Sequence, residues 1–184
     1  MSVHLVTNCI ISCAFLILTI GCQEDKCKWT FLNIQNCSND AEMPYKMYMH
    51  KHKVNRSHVA FDFGGDVPQP IDDSYAVRVD IKRKVAGAWK PYMTWGDDCL
   101  PCVGKKFAEE NVKRGFIAAG INPPEFPVPK GRYDVKQFVV DTTELPQFSR
   151  LLGMDGEWSA DVYIIKDGRD LLCHQIVMLY ESSE

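Results

Sequence analysis

The sequence predicts an all-β fold of two antiparallel sheets, a sandwich or cup, with one short helix in an insert between strands. Three observations carry this. Tyr75, Val77, Val79 and Ile81 alternate with Arg78, Asp80, Lys82 and Lys84, the period of two that turns one strand face inward and the other to water. Lys166-Asp167-Gly168-Arg169 sets Asp-Gly at the centre of a hairpin turn between two apolar-rich runs. Pro127-Val128-Pro129-Lys130-Gly131-Arg132-Tyr133 reads as a turn that opens a strand, and Glu144-Leu145-Pro146 punctuates its far end.

Along the chain, residues 1–21 hold no Asp, Glu, Lys or Arg, and the apolar run over residues 10–20 is interrupted only by Ser12, Cys13 and Thr19. That run is too short to span a bilayer comfortably, and Gln23-Glu24-Asp25-Lys26 follows at once. It reads as a cleaved secretory signal, with a retained anchor as the alternative because His4 is the only basic-capable side chain ahead of it. Cleavage after Gly21 leaves one domain, residues 22–184, with six cysteines: Cys22, Cys27, Cys37, Cys99, Cys102 and Cys173. An even count in a secreted chain suits disulfides, and the count alone leaves their pairing open. The sequon at Asn55 fits the same route; the one at Asn36 competes with a disulfide at its neighbour Cys37.

Weaker alternation marks strands at residues 28–34, 45–49, 88–94, 133–140, 157–165 and 171–180. In the last of these, Ile176, Met178 and Tyr180 share one face while Val177 and Leu179 occupy the other. A strand covered on both faces accounts for this, and so does a pair of sheets splayed around an internal apolar cavity. Residues 103–112 read as the helix, with Pro101 and Gly104 at its start and Phe107, Ala108 and Val112 able to share one side.

With 24% charged and 46% apolar residues and a formal net charge of -3, the composition points neither to disorder nor to a nucleic-acid-binding surface. No motif points to catalysis. The pairs Asp72-Asp73 and Asp97-Asp98 are adjacent, which on an extended chain aims the carboxylates apart, whereas acid–base work needs convergence. There is no G-x-S-x-G, H-E-x-x-H or phosphate-cradling glycine loop. Cys99-Leu100-Pro101-Cys102 has the spacing of a redox motif, but no parallel βαβ pattern accompanies it, so it reads as a structural half-cystine pair. His50 and His52 would share a strand face near His58, yet no further ligand stands at metal spacing; no metal and no cofactor are expected. His174 reads as a core or cavity-wall side chain. The inward candidates for an apolar cavity are Val77, Val79, Ile81, Phe138, Val140, Val162, Ile164, Ile176 and Met178.

Four segments, in order, resemble one family. Residues 29–37 are similar to its opening aromatic-x-x-x-C strand, and Val77-Arg78-Val79-Asp80-Ile81-Lys82-Arg83-Lys84-Val85-Ala86-Gly87-Ala88-Trp89 to its charged strand and V-A-G-x-W turn. The segment from Pro127 to Pro146 is similar to its strand between a K-x-G-x-Y and an E-L-P turn, and Gly168-Arg169-Asp170-Leu171-Leu172-Cys173-His174-Gln175-Ile176 to its closing strand. These resemble the ganglioside GM2 activator-like proteins of the MD-2-related lipid-recognition (ML) family, which carry lipids and catalyse nothing. The resemblance implies a β-cup around a lipid-sized cavity, and a Cys37–Cys173 disulfide tying the first strand to the last. It also implies apolar rim turns that touch a membrane, at Trp89 and at Phe148 with Leu151 and Leu152. The chain departs from the family where cysteines should precede the turn at Pro127, since Glu125-Phe126 stand there. Cys99 and Cys102 then pair with each other or with Cys22 and Cys27.

The resulting expectation is a secreted, non-enzymatic lipid-binding or lipid-transfer protein, with the lysosomal lumen as the alternative location. It would contact membranes transiently and present an acyl chain or other apolar ligand to a hydrolase or receptor, and would not bind nucleic acid. The alternatives are an immunoglobulin-like interaction module with a filled core, and a carrier of a small hydrophobic signal molecule.

Overall fold

The strongest alternation in the chain becomes an interior strand of the larger of two sheets. The structure is a computed structural model that describes residues 27–39, 43–53, 59–140 and 155–182. The strands are β1 (Cys27–Asn36), β2 (Met47–Lys53), β3 (Val59–Val67), β4 (Ala76–Val85), β5 (Ala88–Asp97), β6 (Gly131–Val139), β7 (Gly156–Lys166) and β8 (Arg169–Ser182), and the helix α1 is Leu100–Ala118. Every strand pairing is antiparallel, in a five-stranded sheet ordered β1-β8-β7-β4-β5 and a three-stranded sheet ordered β2-β3-β6. The all-β, two-sheet expectation holds.

Two hairpin turns follow directly from local chemistry. Ala86 (φ 50°) with Gly87 (φ 81°) joins β4 to β5, and Asp167 (φ 52°) with Gly168 (φ 71°) joins β7 to β8. Positive φ at both central residues is the turn whose twist matches that of the flanking strands.

The two ends of the sheets differ. At one end Tyr45, Val67, Ile71, Tyr75, Ile121, Val128, Leu171 and Leu172 form a buried cluster. The Ile71–Val128 bridge, the Tyr45 N–H donating to the Leu171 carbonyl at 3.0 Å, and the Tyr45–Tyr75 hydroxyl pair at 2.8 Å close it. At the opposite end lie the start of β1, the β4–β5 turn, the start of β7 and the end of β8 in one sheet, and the β2 and β6 C-terminal ends in the other.

Both sides between the sheets are bridged. On one, Lys51 of β2 donates from Nζ to the carbonyls of Phe31 (2.8 Å) and Leu32 (2.7 Å), at the register shift in β1 that leaves Leu32 without a partner in β8. On the other, α1 packs Leu100 and Val103 onto the larger sheet's core and lays Gly115 against Phe63 and Phe138 of the smaller sheet. Arg114 adds a hydrogen bond from Nη2 to the Val139 carbonyl at 2.7 Å.

The structure differs from the sequence reading in the helix bounds and adds two features that reading did not contain. The helix begins three residues before residue 103 and ends six after residue 112, and it is broken at Ala108 (φ -153°, ψ 37°). β3 was not among the expected strands; its glycines let strands approach closely, since a Cβ on Gly64 would clash with the Tyr133 carbonyl. In β6 a register shift beside Gln137 (φ 53°) makes Val135 and Phe138, rather than residues two apart, the partners of Phe63 and Phe61.

Cys37 and Cys173 are bonded with Cα atoms 5.5 Å apart, as the resemblance implied, and Cys173 is fully buried. Cys99 pairs with Cys102, one of the expected possibilities. Cys22, Asn55, His58, Phe148, Leu151, Leu152 and residues 1–21, where a signal was expected, lie outside the described residues, as does the side chain of Cys27.

Candidate functional site

Pleating sends alternate residues of each strand toward the opposite sheet, so register determines which side chains line the space between. On the larger sheet Val79 sits opposite Val162, which sits opposite His174; Ile81, Ala160 and Ile176 form the next row, and Trp158 pairs with Met178. The pattern joins most of the expected cavity candidates on one face. Val77, Val79 and Ile81 are buried with Trp158 and Tyr180 in a second core cluster, against which Met93, Trp95 and Val162 pack. Ile164 packs instead on the cluster at the closed end. Phe138 faces Phe63 edge-on at 5.7 Å on the smaller sheet, and Val140 lies just past β6, half-buried.

Burial on these inward faces is incomplete. Met93, Trp95, Val162, Ile164, Ile176 and Met178 on the larger sheet and Met47, Met49, Phe63 and Phe138 on the smaller are half-buried. Most of these side chains are apolar and can offer only dispersion contacts. His174 is the buried polar member of the inward face, at 8% exposure.

The outward face of the larger sheet is polar and largely paired within itself, although the buried Ser159 hydroxyl finds no partner among the described residues. Lys82 pairs with Asp161 at 2.5 Å, Asp161 accepts from Gln175, and Gln175 accepts from Gln35, so one chain of hydrogen bonds crosses four strands. Arg78 binds Asp170 at 3.0 Å while its guanidinium lies over the Tyr163 ring. The hydrogen bond to Asp161 raises the Lys82 pKa above its ordinary value. These charges neutralise one another.

At the end opposite the closed cluster, the β4–β5 turn carries apolar side chains into solvent. Val85, Trp89 and Tyr92 are 48%, 39% and 44% exposed, three of the five large hydrophobic residues exposed among those described. Lys84 reaches over the Trp89 ring at 5.7 Å, and the Arg83 guanidinium lies 5.6 Å from the Trp158 centroid. The end of β2, the start of β3, the end of β6 and the start of β7 lie at this same end.

The remaining chemistry-bearing residues do not converge. His52 pairs with Asp62 at 3.0 Å, and His50 stacks on Tyr48; among the described residues no group of three His, Cys, Asp or Glu could hold a metal ion. Asp72 accepts hydrogen bonds from Ser74 and Asp97 accepts one from the Cys99 N–H, each a local turn contact. Asp72, Asp73, Ser74, Phe126 and Pro127 line a surface crevice of about 400 Å³ at the closed end, away from the half-buried apolar rows.

Sequence reasoning missed Met47, Met49, Phe63, Met93 and Trp95 as inward residues. The alternation of Phe61 and Phe63 around Asp62 was the available signal for β3, and the following glycines obscured it.

The chain matches no protein-family model and no curated protein.

Proposed function

We propose that the protein is a non-enzymatic carrier that holds an acyl chain or similar apolar ligand between its two sheets and exchanges it at a membrane. The observation that carries this reading is the half-burial of apolar side chains on both inward faces, in a fold whose sides are bridged by Lys51 and α1. Packed protein interiors normally leave few such residues partly accessible. Each methylene moved from water into that space gains about 0.8 kcal/mol, so a short stretch of hydrocarbon binds without specific polar contacts. The exposed Val85, Trp89 and Tyr92 beside Lys84 suit contact with a bilayer interface, where tryptophan and tyrosine concentrate. The resemblance to lipid-recognition proteins points the same way. Two disulfides, and no helix among the described residues long and apolar enough to cross a membrane, are compatible with a secreted carrier that presents its lipid to a hydrolase or receptor.

Native mass spectrometry of protein from a eukaryotic secretory host, followed by organic extraction, tests the reading. One co-purifying apolar ligand per chain is expected, and Met178→Glu is expected to abolish lipid uptake from vesicles while the β-sheet circular dichroism persists. Ligand-free protein that takes up no lipid at neutral or acidic pH would transfer the assignment to an immunoglobulin-like interaction module.

A further inference from the structure

We propose that Cys99–Cys102 is a reversible thiol–disulfide exchange site in which Cys102 is the sulfur attacked and Cys99 the leaving thiolate. The inference rests on the disulfide and helix alone and is independent of any lipid.

The two disulfides among the described residues differ in what holds them closed. Cys37–Cys173 joins residues 136 apart with Cys173 fully buried, whereas Cys99–Cys102 closes a loop of sequence separation three at the protein surface. A short loop restrains the unfolded chain little, so this bond gains far less from the fold than the long-range one. The residues of the short loop are also unequally placed. Cys102 is exposed and Cys99 half-buried, which directs an incoming thiol to Cys102.

The departing sulfur has a stabilised position waiting. Cys99 is the N-cap of α1, and its Sγ already accepts the Cys102 backbone N–H at 3.2 Å. Once the bond breaks, the Cys99 thiolate becomes an anionic cap at the positive end of the helix, the environment that lowers thiol pKa values and speeds departure. No acidic residue lies in the first turn of α1; Asp97, which accepts the Cys99 N–H at 2.9 Å, is the carboxylate that opposes the effect. The cap is also held independently of the disulfide. The Leu100 N–H donates to the Tyr75 carbonyl at 2.6 Å, Pro101 is buried, and Leu100 packs against both core clusters.

The chemistry balances with a low-molecular-mass monothiol as reductant. Its thiolate attacks Cys102 Sγ, the Sγ–Sγ bond breaks, and the electron pair leaves on Cys99, giving a mixed disulfide at Cys102. A second thiolate attacks the small-molecule sulfur of that mixed disulfide, releasing the oxidised dimer and the Cys102 thiolate. The two protons given up by the thiols end on Cys99 and Cys102, two thiols are oxidised, and the protein disulfide is reduced to a dithiol.

Glutathione redox buffers, acid quenching, alkylation and peptide mass spectrometry of the full-length protein test this. Cys99 and Cys102 are expected to become reduced at a reducing strength roughly 100-fold below that needed for Cys37 and Cys173, with unchanged near-ultraviolet circular dichroism and the transient glutathione adduct on Cys102. Reduction of both bonds together as tertiary structure is lost, or an adduct found on Cys99, would overturn the proposal.

Discussion

Gly64 shows how strictly a single position can be set by its neighbours. A methyl there would meet the Tyr133 carbonyl of the adjoining strand, so Gly64→Ala is expected to cost about 2 kcal/mol or more, read from urea unfolding. Three carboxylates, two on strands and one in a turn, act through hydrogen bonds instead. A backbone N–H from Gln137 holds the Asp62 carboxyl below its usual 3.8, the Ser74 hydroxyl does the same for Asp72, and Lys136, aided by the Tyr48 hydroxyl, for Asp134. A carboxylate whose folded value is depressed binds its proton more readily when unfolded, so the stability it lends is complete above 3.8 and is lost as pH falls through the depressed value. Asp72→Asn is therefore expected to lower stability at neutral pH and to flatten its decline on acidification. Urea titrations at neutral pH and at about pH 2 would show this as converging midpoints for variant and parent.

Elements depend on what joins them. The first strand is tied to the last by Cys37–Cys173, and chain-entropy arithmetic assigns that closure about 5 kcal/mol against about 2 kcal/mol for the four-residue loop at the start of α1. Replacing Cys37 and Cys173 by alanine is thus expected to destabilise the protein by the larger amount and the Cys99/Cys102 pair by the smaller, compared by denaturant midpoints. The helix owes its extent to tertiary contact. Its isolated sequence has weak amphipathic character in residues 103–112, yet Leu100 at one end and Phe116 near the other pack against the closed-end cluster and carry the helix past both expected limits. Gln137, with positive φ in β6, is a comparable case: the register shift there turns Phe138 toward Phe63, and nothing in the local pattern announces it.

The molecule is polarised, with a buried, mostly aliphatic cluster at one end and exposed Val85, Trp89 and Tyr92 at the other. That polarity gives the membrane proposal its direction. Trp89→Ala is expected to reduce vesicle binding several-fold, measured by co-sedimentation, with little change in the unfolding midpoint, because the side chain is 39% exposed and belongs to neither core cluster. The alternating strand at β4, the positive-φ hairpin turn at Asp167-Gly168 and the all-β class were legible in the chain because each depends on residues within a few positions of one another, whereas the turn at Ala86-Gly87 was read only through the family resemblance. Of the candidate site, Ile176 and Met178 were readable from period alone, while Phe63, Met93 and Trp95 required knowing which strands pair. The sequence by itself determined which faces of which strands are apolar, where the chain turns, and that no familiar catalytic motif is present. Tertiary structure alone decided the choice of Cys102 as the partner of Cys99, the use of Gly64 and Gly65 inside a strand, and the bridging of two sheets by Lys51 and α1. The division is physical: periodicity and turn geometry are short-range properties of the backbone, whereas register, bulges and close approach arise only when segments distant in sequence compete for the same space.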